Sequence, residues 1–337
     1  MTVLLAIESS CDETAAAVVK DGHEILSNIV SSQINVHTLY GGVVPEVASR
    51  IHVENISAVV TEALKQADTD MDGIDAVAFT QGPGLIGSLH VGVQAAKTIA
   101  WAFHKPLVPV NHMTGHIYAN CFVAELRFPL MALVISGGHT ELVWMQNEWD
   151  FKVLGTTMDD AIGEAYDKVA RVLGLGYPGG PKIDRIAKEG SEHYTLPTPK
   201  TVNPYDFSFS GLKTAVLQLI QREEKAGREI NTADVAYCFQ ETALRSLVKK
   251  TLAAVEEYRP EMLVLAGGVA ANSRLRVMME EEMKNRKDTE LIIPPLYCCT
   301  DNAAMIGAAG YVAYKHGQFG TFDLSADPGM AMPGEDC

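Results

Sequence analysis

Short apolar runs typical of strands occur along this chain together with segments whose apolar positions recur at helical spacing. This pattern predicts a mixed α/β protein. Short runs of Val, Ile, Leu and Ala predict buried strands, and the clearest are residues 3–7, 74–80, 131–135 and 262–266. Apolar positions at helical spacing predict helices between them, among them 45–65, 85–103, 159–173, 272–284 and 301–315. Asp21-Gly22 separates two strand-like runs and predicts a tight hairpin turn.

The order of these elements occurs twice, which predicts an internal duplication. Gly82 and His116 are each 185 positions before a counterpart, Gly267 (267 − 82) and Asp301 (301 − 116). Ser9 and Ser136 are only 127 positions apart (136 − 9), so the second copy carries an insertion of 58 residues. The Gly- and Pro-rich stretch from 174 to about 230 accounts for it.

A duplicated α/β unit predicts two domains around a central cleft, with ligands outside the carboxyl ends of the strands. We expect residues 1–128 to form the first half and 129–300 the second half, with a subdomain inserted at about 174–230. Residues 301–337 are expected to form a C-terminal helix that packs back towards the cleft, followed by a tail.

The charge and composition restrict the class of protein. The 337 residues carry a formal net charge of −15, which argues against broad contact with a nucleic-acid backbone. We see no signal peptide, no apolar run long enough to span a bilayer and no CxxC spacing among the six cysteines. A soluble, cytoplasmic protein is therefore expected.

Candidate metal ligands occur in a strand-to-helix segment, residues 107–117. His112 and His116 are four positions apart, so on a helix both imidazoles leave the same face. Taken alone, the pair is equally well explained by one capping or core histidine and one surface histidine. Asp301 is placed by the repeat at the position equivalent to His116, and completes a two-histidine, one-carboxylate set suited to Fe(II) or Zn(II).

Four turns are expected to face the cleft, namely 9–14, 82–84, 136–140 and 267–268. Gly in such turns lets backbone N–H groups approach an anion.

Asp12 and Glu13 follow a strand end. Either is a candidate general base or a residue that holds a metal-bound water. The alternative is that both are solvated acids of a hairpin. Asn272 is a predicted N-cap that is also able to bond a ribose hydroxyl.

The motifs together resemble those of one family over essentially the whole chain, to about residue 323. They are residues 7–14 (IESSCDET), 41–46 (GGVVPE), 112–116 (HMTGH), 136–140 (SGGHT), 163–168 (GEAYDK), 177–181 (YPGGP), 207–213 (FSFSGLK), 267–272 (GGVAAN) and 299–302 (CTDN). The sequence resembles the TsaD family of tRNA adenosine threonylcarbamoyltransferases, formerly named O-sialoglycoprotein endopeptidases.

The resemblance implies the duplicated actin/Hsp70/sugar-kinase type of fold. It also implies transfer of threonylcarbamoyl from threonylcarbamoyl-AMP to the exocyclic amine of the adenosine beside the anticodon, in tRNAs that read codons beginning with A. AMP leaves. The implied partners are a TsaB-type paralogue, a TsaE-type ATPase and a TsaC-type adenylate synthase.

The resemblance also implies roles for individual residues. One iron ion, with zinc as the alternative, is expected on His112, His116 and Asp301. Asp12 matches the acidic residue given a catalytic role. The adenylate-binding positions are expected to be Val134, Ile135, Ser136, Gly137, Gly138, Asp167, Gly180, Asp184 and Asn272.

Three other functions fit parts of the sequence. A metallopeptidase of the HExxH type needs a glutamate after the first histidine, and Met113 stands there instead. A kinase or ATPase of the same fold would have similar adenine sites but would need a carboxylate set without the histidine pair. A scaffold that has lost its chemistry is disfavoured by the complete set of His112, His116 and Asp301.

Overall fold

The computed structural model describes residues 1–198 and 200–333 and contains two five-stranded sheets. The strands are β1 (Val3–Glu8), β2 (Glu13–Lys20), β3 (Glu24–Ser32), β4 (Ala76–Gly82), β5 (Leu107–Asn111), β6 (Leu130–Ile135), β7 (Thr140–Met145), β8 (Phe151–Thr156), β9 (Met262–Ala266) and β10 (Glu290–Ile292). The α-helices are α1 (Ile34–Tyr40), α2 (Pro45–Gln66), α3 (Ile86–Ala102), α4 (His112–Tyr118), α5 (Ile162–Val172), α6 (Gly179–Ala187), α7 (Ser210–Lys225), α8 (Thr232–Tyr258), α9 (Ser273–Met283) and α10 (Ala303–Lys315).

The chain divides into two compact units. Unit 1 comprises Met1–Leu126, Glu148–Phe151 and the segment from Pro294 onward. Unit 2 comprises Arg127–Asn147 and Lys152–Ile293. Helix α10, with the segment before it, therefore belongs to the same unit as β1–β5.

The sheet of unit 1 has the order β3-β2-β1-β4-β5. Strands β1, β2 and β3 pair antiparallel, and β1, β4 and β5 pair parallel. Asp21 and Gly22, with φ of 50° and 75°, form the predicted hairpin turn between β2 and β3.

Helices cover both faces of this sheet, which explains why its strands are apolar throughout. Side chains such as Leu5 and Phe79 pack with α2 and α3 in one core cluster. The opposite face packs against α10 at very short range, because a Cβ on Gly310 would lie 2.6 Å from Ala78 Cβ. Small residues thus bring α10 directly onto the strands.

The sheet of unit 2 has the equivalent order, β8-β7-β6-β9-β10. Strands β6 and β7 pair antiparallel, and β6, β9 and β10 pair parallel. Each strand of the second sheet thus has a counterpart in the first, which confirms the duplication predicted from the sequence.

The insertion contains more regular structure than its Gly- and Pro-rich composition indicated. Helices α6 and α7 lie within residues 174–230, and the long helix α8 follows them. The sequence analysis predicted none of the three. Among the described residues, no helix is both long enough and apolar enough to cross a membrane.

Candidate functional site

Two of the candidate metal ligands, His112 and His116, lie on α4, which directly follows β5. Asn111 caps the helix, and its Oδ1 accepts hydrogen bonds from the backbone N–H groups of Met113 (2.8 Å) and Thr114 (3.3 Å). The cap fixes the first turn, so His112 and His116 lie one turn apart with ring centroids 4.7 Å from each other. Both histidines are buried, at 6% and 1% exposure.

Asp301 completes the set from the segment that precedes α10. Its Oδ1 lies 3.5 Å from His112 Nε2 and 3.2 Å from His116 Nε2. One donor atom from each of the three residues lies within 4.8 Å of the others. Helices α4 and α10 approach closely at this point, since a Cβ on Gly115 would lie 2.8 Å from Ile306 Cδ1.

The residues present fit a metal ion. Both ring nitrogens of His116 are buried and make no hydrogen bond with any described residue, although Nε2 is close to Asp301. A buried imidazole without hydrogen bonds is costly unless its lone pair is used. Two histidine nitrogens and one carboxylate are a donor set that suits Fe(II) or Zn(II).

The electrostatics of this centre favour a positive charge. Burial alone would lower the pKa of His112, but the carboxylates of Glu8 and Asp301 raise it well above its ordinary value. Burial would likewise raise the pKa of Asp301, yet the neighbouring His112 holds it well below the usual range. The same anionic surroundings attract either a proton or a metal cation.

Asp12 and Glu13 lie where β1 turns into β2, also in unit 1. Asp12 is 8% exposed, and Glu13 Oε1 accepts a hydrogen bond from Ser32 Oγ at 3.0 Å. Burial, with the negative charges of Asp301 and Asp12, raises the pKa of Glu13 to about 9. Glu13 therefore holds its proton at neutral pH and is a hydrogen-bond donor rather than a base.

The predicted adenylate positions all lie in unit 2. Val134 and Ile135 are fully buried at the end of β6. The turn that follows is closed by Ser136, whose N–H donates to the carbonyl of His139 at 2.8 Å. A Cβ on Gly137 or Gly138 would meet nothing within 4 Å, so the backbone of this turn is open.

The other polar candidates of unit 2 hold the ends of helices. Asp167 on α5 accepts a hydrogen bond from Gly179 N–H at 2.6 Å, at the start of α6, which also carries Gly180. Asp184 on α6 accepts from Ser273 N–H (3.2 Å) and Ser273 Oγ (3.0 Å), at the start of α9. These bonds join α5, α6 and α9 into one polar group.

Asn272 is the N-cap of α9, as predicted, and its Oδ1 accepts from Leu275 N–H at 2.9 Å. Its Nδ2 donates to Gln240 Oε1 at 2.9 Å, and the hydroxyl of Tyr166 donates to the same oxygen at 3.3 Å. Neither Gln240 nor Tyr166 was predicted from the sequence.

A family model matches most of the chain. The model described as "TsaD: tRNA N6-adenosine threonylcarbamoyltransferase" matches residues 24–308. The chain belongs to the TsaD family.

Curated relatives in the TsaD family match nearly the full length of the chain. One from Bacillus cereus, named tRNA N6-adenosine threonylcarbamoyltransferase, is 56% identical over 98% of this chain and 96% of its own. One from Geobacillus kaustophilus with the same name is 55% identical over the same shares.

Solved structures show the fold. HypF from T. kodakarensis is similar with a TM-score of 0.65 at 14% identity, over 94% of this chain and 48% of its own. The (R)-2-hydroxyglutaryl-CoA dehydratase component A from Acidaminococcus fermentans has a TM-score of 0.54 at 15% identity, over 94% and 99%. This TsaD chain thus has the duplicated actin/Hsp70/sugar-kinase type of fold.

Asp301 lies in the segment before α10. The repeat matched Asp301 to His116, and residues 301–337 were expected to form a helix outside the second half that packs back towards the cleft. In the structure Asp301 belongs to unit 1, because α10 packs onto β1, β2, β4 and β5 rather than staying with the sheet of unit 2. The residues predicted as a set do come together, within one unit.

The sequence analysis missed a further residue of this centre. Glu8 is fully buried and its Oε2 lies 3.0 Å from His112 Nδ1. A signal was present, because Glu8 is an acidic residue that directly follows the buried apolar run 3–7 without a turn residue before it.

Proposed function

We propose that this protein transfers the threonylcarbamoyl group of threonylcarbamoyl-AMP to the exocyclic amine of the adenosine beside the anticodon, in tRNAs that read codons beginning with A. The bond between the carbamoyl carbon and the adenylate phosphate breaks, and AMP leaves. The observation that carries the proposal is the cluster of Asp301 with the two buried histidines, His112 and His116, in a member of the TsaD family. A metallopeptidase of the HExxH type has no support, since Met113 replaces the required glutamate.

His112, His116 and Asp301 are proposed to hold one divalent metal ion, Fe(II) rather than Zn(II). When bound, such an ion supplies Lewis acidity that polarises the donor and orients it. The unbonded nitrogens of His116 and the negative surroundings of His112 support this assignment.

The adenylate part of the donor is proposed to bind in unit 2. The open backbone of Gly137 and Gly138 is suited to a phosphate, because N–H groups in a glycine turn approach an anion closely. Asp167, Asp184 and Asn272 supply acceptors and a donor for the nucleoside, and Gln240 holds the Asn272 amide in one orientation.

Asp12 is proposed as the general base that receives the proton of the attacking amine. Glu13 is the less suitable base, because burial and the neighbouring carboxylate of Asp12 disfavour its ionised form. We expect Asp12→Asn to slow single-turnover transfer by on the order of a hundredfold, the usual effect of losing a positioned acid or base. Circular dichroism and donor binding should be unchanged, and equal transfer rates for both proteins would exclude this role.

Mass spectrometry of tRNA nucleosides tests the whole proposal. The protein is incubated with unmodified tRNA, ATP, threonine, bicarbonate and the proposed partners, which are proteins of the TsaB, TsaE and TsaC types. Threonylcarbamoyladenosine should form, and should be absent when this protein alone is omitted. Cleavage of a glycoprotein substrate without modified nucleoside would contradict the proposal.

A further inference from the structure

Glu8 is a carboxylate in the interior of unit 1, at the last position of β1. Its exposed fraction is 0%, and β1 is buried along its whole length. A charged group in such a place persists only when several donors satisfy it, because leaving water costs several kcal/mol otherwise. The donors that surround Glu8 therefore indicate the structural role of its carboxylate.

Three donors surround the Glu8 carboxylate. The backbone N–H of Ser10 donates to Oε1. The hydroxyl of Thr80, on the neighbouring strand β4, donates to Oε2. His112 Nδ1 lies 3.0 Å from the same Oε2. With one donor from the turn after β1, one from strand β4 and one from helix α4, the carboxylate is held in a single orientation.

This arrangement sets the tautomer of the His112 ring in its neutral form, which is the form that binds a metal. An ionised carboxylate only accepts hydrogen bonds, so Nδ1 must carry the hydrogen that faces Glu8. In the neutral ring the lone pair then lies on Nε2, the nitrogen that faces Asp301 at 3.5 Å. The Ser10 hydroxyl, 3.2 Å from Nδ1, is also on the Glu8 side of the ring.

His116 lacks such a partner, because neither of its ring nitrogens is hydrogen-bonded to a described residue. The two histidines of the centre are therefore not equivalent. Only His112 has its orientation set by a carboxylate behind it.

We propose that Glu8 is a positioning residue that holds His112 in the tautomer and orientation required of a metal ligand. Nothing in the family resemblance or in the names of the relatives assigns this role. The inference rests on the proposed metal centre, since it concerns one of its ligands. Carboxylates that accept from the far nitrogen of a ligating histidine also raise its basicity towards the metal.

The test is the affinity of the full chain for Zn²⁺, measured by competition with a chelating dye. Glu8→Gln keeps the size of the side chain, but its NH₂ group cannot accept from Ser10 N–H or His112. We expect the affinity to fall by about tenfold to a hundredfold, the usual loss when such an outer partner is removed.

Glu223→Gln is the matched control for loss of a buried carboxylate. Glu223 lies on α7 in unit 2, is 6% exposed and pairs with Arg222 of the same helix and with Arg228, which follows it. Both variants lose a buried charged acceptor, but only Glu8→Gln should lose affinity for zinc. An equal loss in both variants would overturn the positioning role.

Thr80→Val is the second variant, and it leaves the charge of Glu8 in place. It removes one of the three donors, so a smaller loss of zinc affinity, on the order of threefold, is expected. If Glu8→Gln does not fold, this variant decides, and an unchanged affinity overturns the inference.

The outcomes separate the two proposals. A wild-type chain that binds no zinc overturns the metal centre and the role of Glu8 with it. A wild-type chain that binds zinc, with a folded Glu8→Gln variant that binds equally tightly, overturns the role of Glu8 alone.

Discussion

His116 is the residue whose environment depends most on a metal ion, because its buried ring nitrogens make no hydrogen bond with a described residue and only Nε2 lies near a charged group, Asp301. We expect His116→Ala to abolish metal binding and transfer together. Metal content after purification and nucleoside formation are the two measurements. His90→Ala is the control, since His90 is an exposed histidine on α3 and should leave both unchanged. Full metal occupancy in His116→Ala would show that the ion binds elsewhere.

Glu13 makes the stability of the metal-free protein depend on pH. Its pKa is raised from 4.5 to about 9 by burial and by Asp301 and Asp12. The folded state then keeps a proton that the unfolded state releases, so this stabilising contribution is complete below about pH 4.5 and is lost as the pH rises through about 9.

Glu13→Gln removes this titration, because an amide stays neutral at every pH in the range. We expect the free energy of unfolding of the wild type to fall more steeply between pH 5 and 9 than that of the variant. Urea titrations in the presence of a chelator measure both. Parallel pH profiles would show that Glu13 titrates normally in the folded state.

The proposed metal ligands could be picked out from the sequence, but the residues that contact them could not. The spacing of His112 and His116 is local, and the repeat pointed to Asp301. Glu8, Thr80 and Gln240 act through contacts across strands and helices that no local spacing encodes.

At the scale of elements, the short helix α4 depends on its cap. Asn111 Oδ1 accepts from two backbone N–H groups, and Nδ2 donates to the carbonyls of Met330 (3.2 Å) and Ala331 (3.0 Å). We expect Asn111→Ala to lower the free energy of unfolding by about 1–2 kcal/mol and to weaken metal binding, since α4 carries both histidines.

Two further variants make this prediction specific. Asn111→Asp keeps the capping oxygen and loses only the bonds to the C-terminal segment, so it should retain most of the metal affinity. Asn231 caps α8, and its Oδ1 accepts a hydrogen bond from Ala233 N–H at 2.9 Å. Asn231→Ala removes this cap and should lower the free energy of unfolding without loss of metal binding. Loss of metal in Asn231→Ala would contradict the assignment.

Some elements were predicted close to their observed bounds, and others were missed. Strand β9 was predicted at its observed bounds, and α2 within one residue of them. Helix α8 was missed because it is buried around most of its circumference and includes buried polar residues such as Asp234, Gln240 and Glu241. Tertiary contacts satisfy these groups, so the buried positions of α8 are not all apolar and its buried face cannot be recognised from apolar residues alone.

At the scale of the whole molecule, the net charge of −15 opposes binding of tRNA. Several of the basic side chains of unit 2 are already engaged. Arg274 pairs with Glu241 at 2.5 Å, Lys182 donates to the carbonyl of Leu175 at 2.8 Å, and Lys188 is 4.0 Å from Asp184.

We therefore expect the isolated chain to bind tRNA weakly and the partner proteins to complete the docking surface. Titration of labelled tRNA at physiological salt, with and without proteins of the TsaB and TsaE types, measures the difference. A dissociation constant of about ten nanomolar or better for the isolated chain, the range of specific nucleic-acid complexes, would contradict this prediction.

Asp301 and α10 belong to unit 1 but follow unit 2 in the chain, and this constrains the order in which the units fold during translation. The two histidines leave the ribosome first, and the main stretch of unit 2, Lys152–Ile293, is made before Asp301. Until α10 emerges, the sheet face around Val19 and Ala78 has no helix against it. Unit 2 is thus able to fold while unit 1 still lacks α10, which is the reverse of the usual N-terminal-first order. A nascent chain carries His112 and His116 early but gains Asp301 only after Lys152–Ile293 has been made.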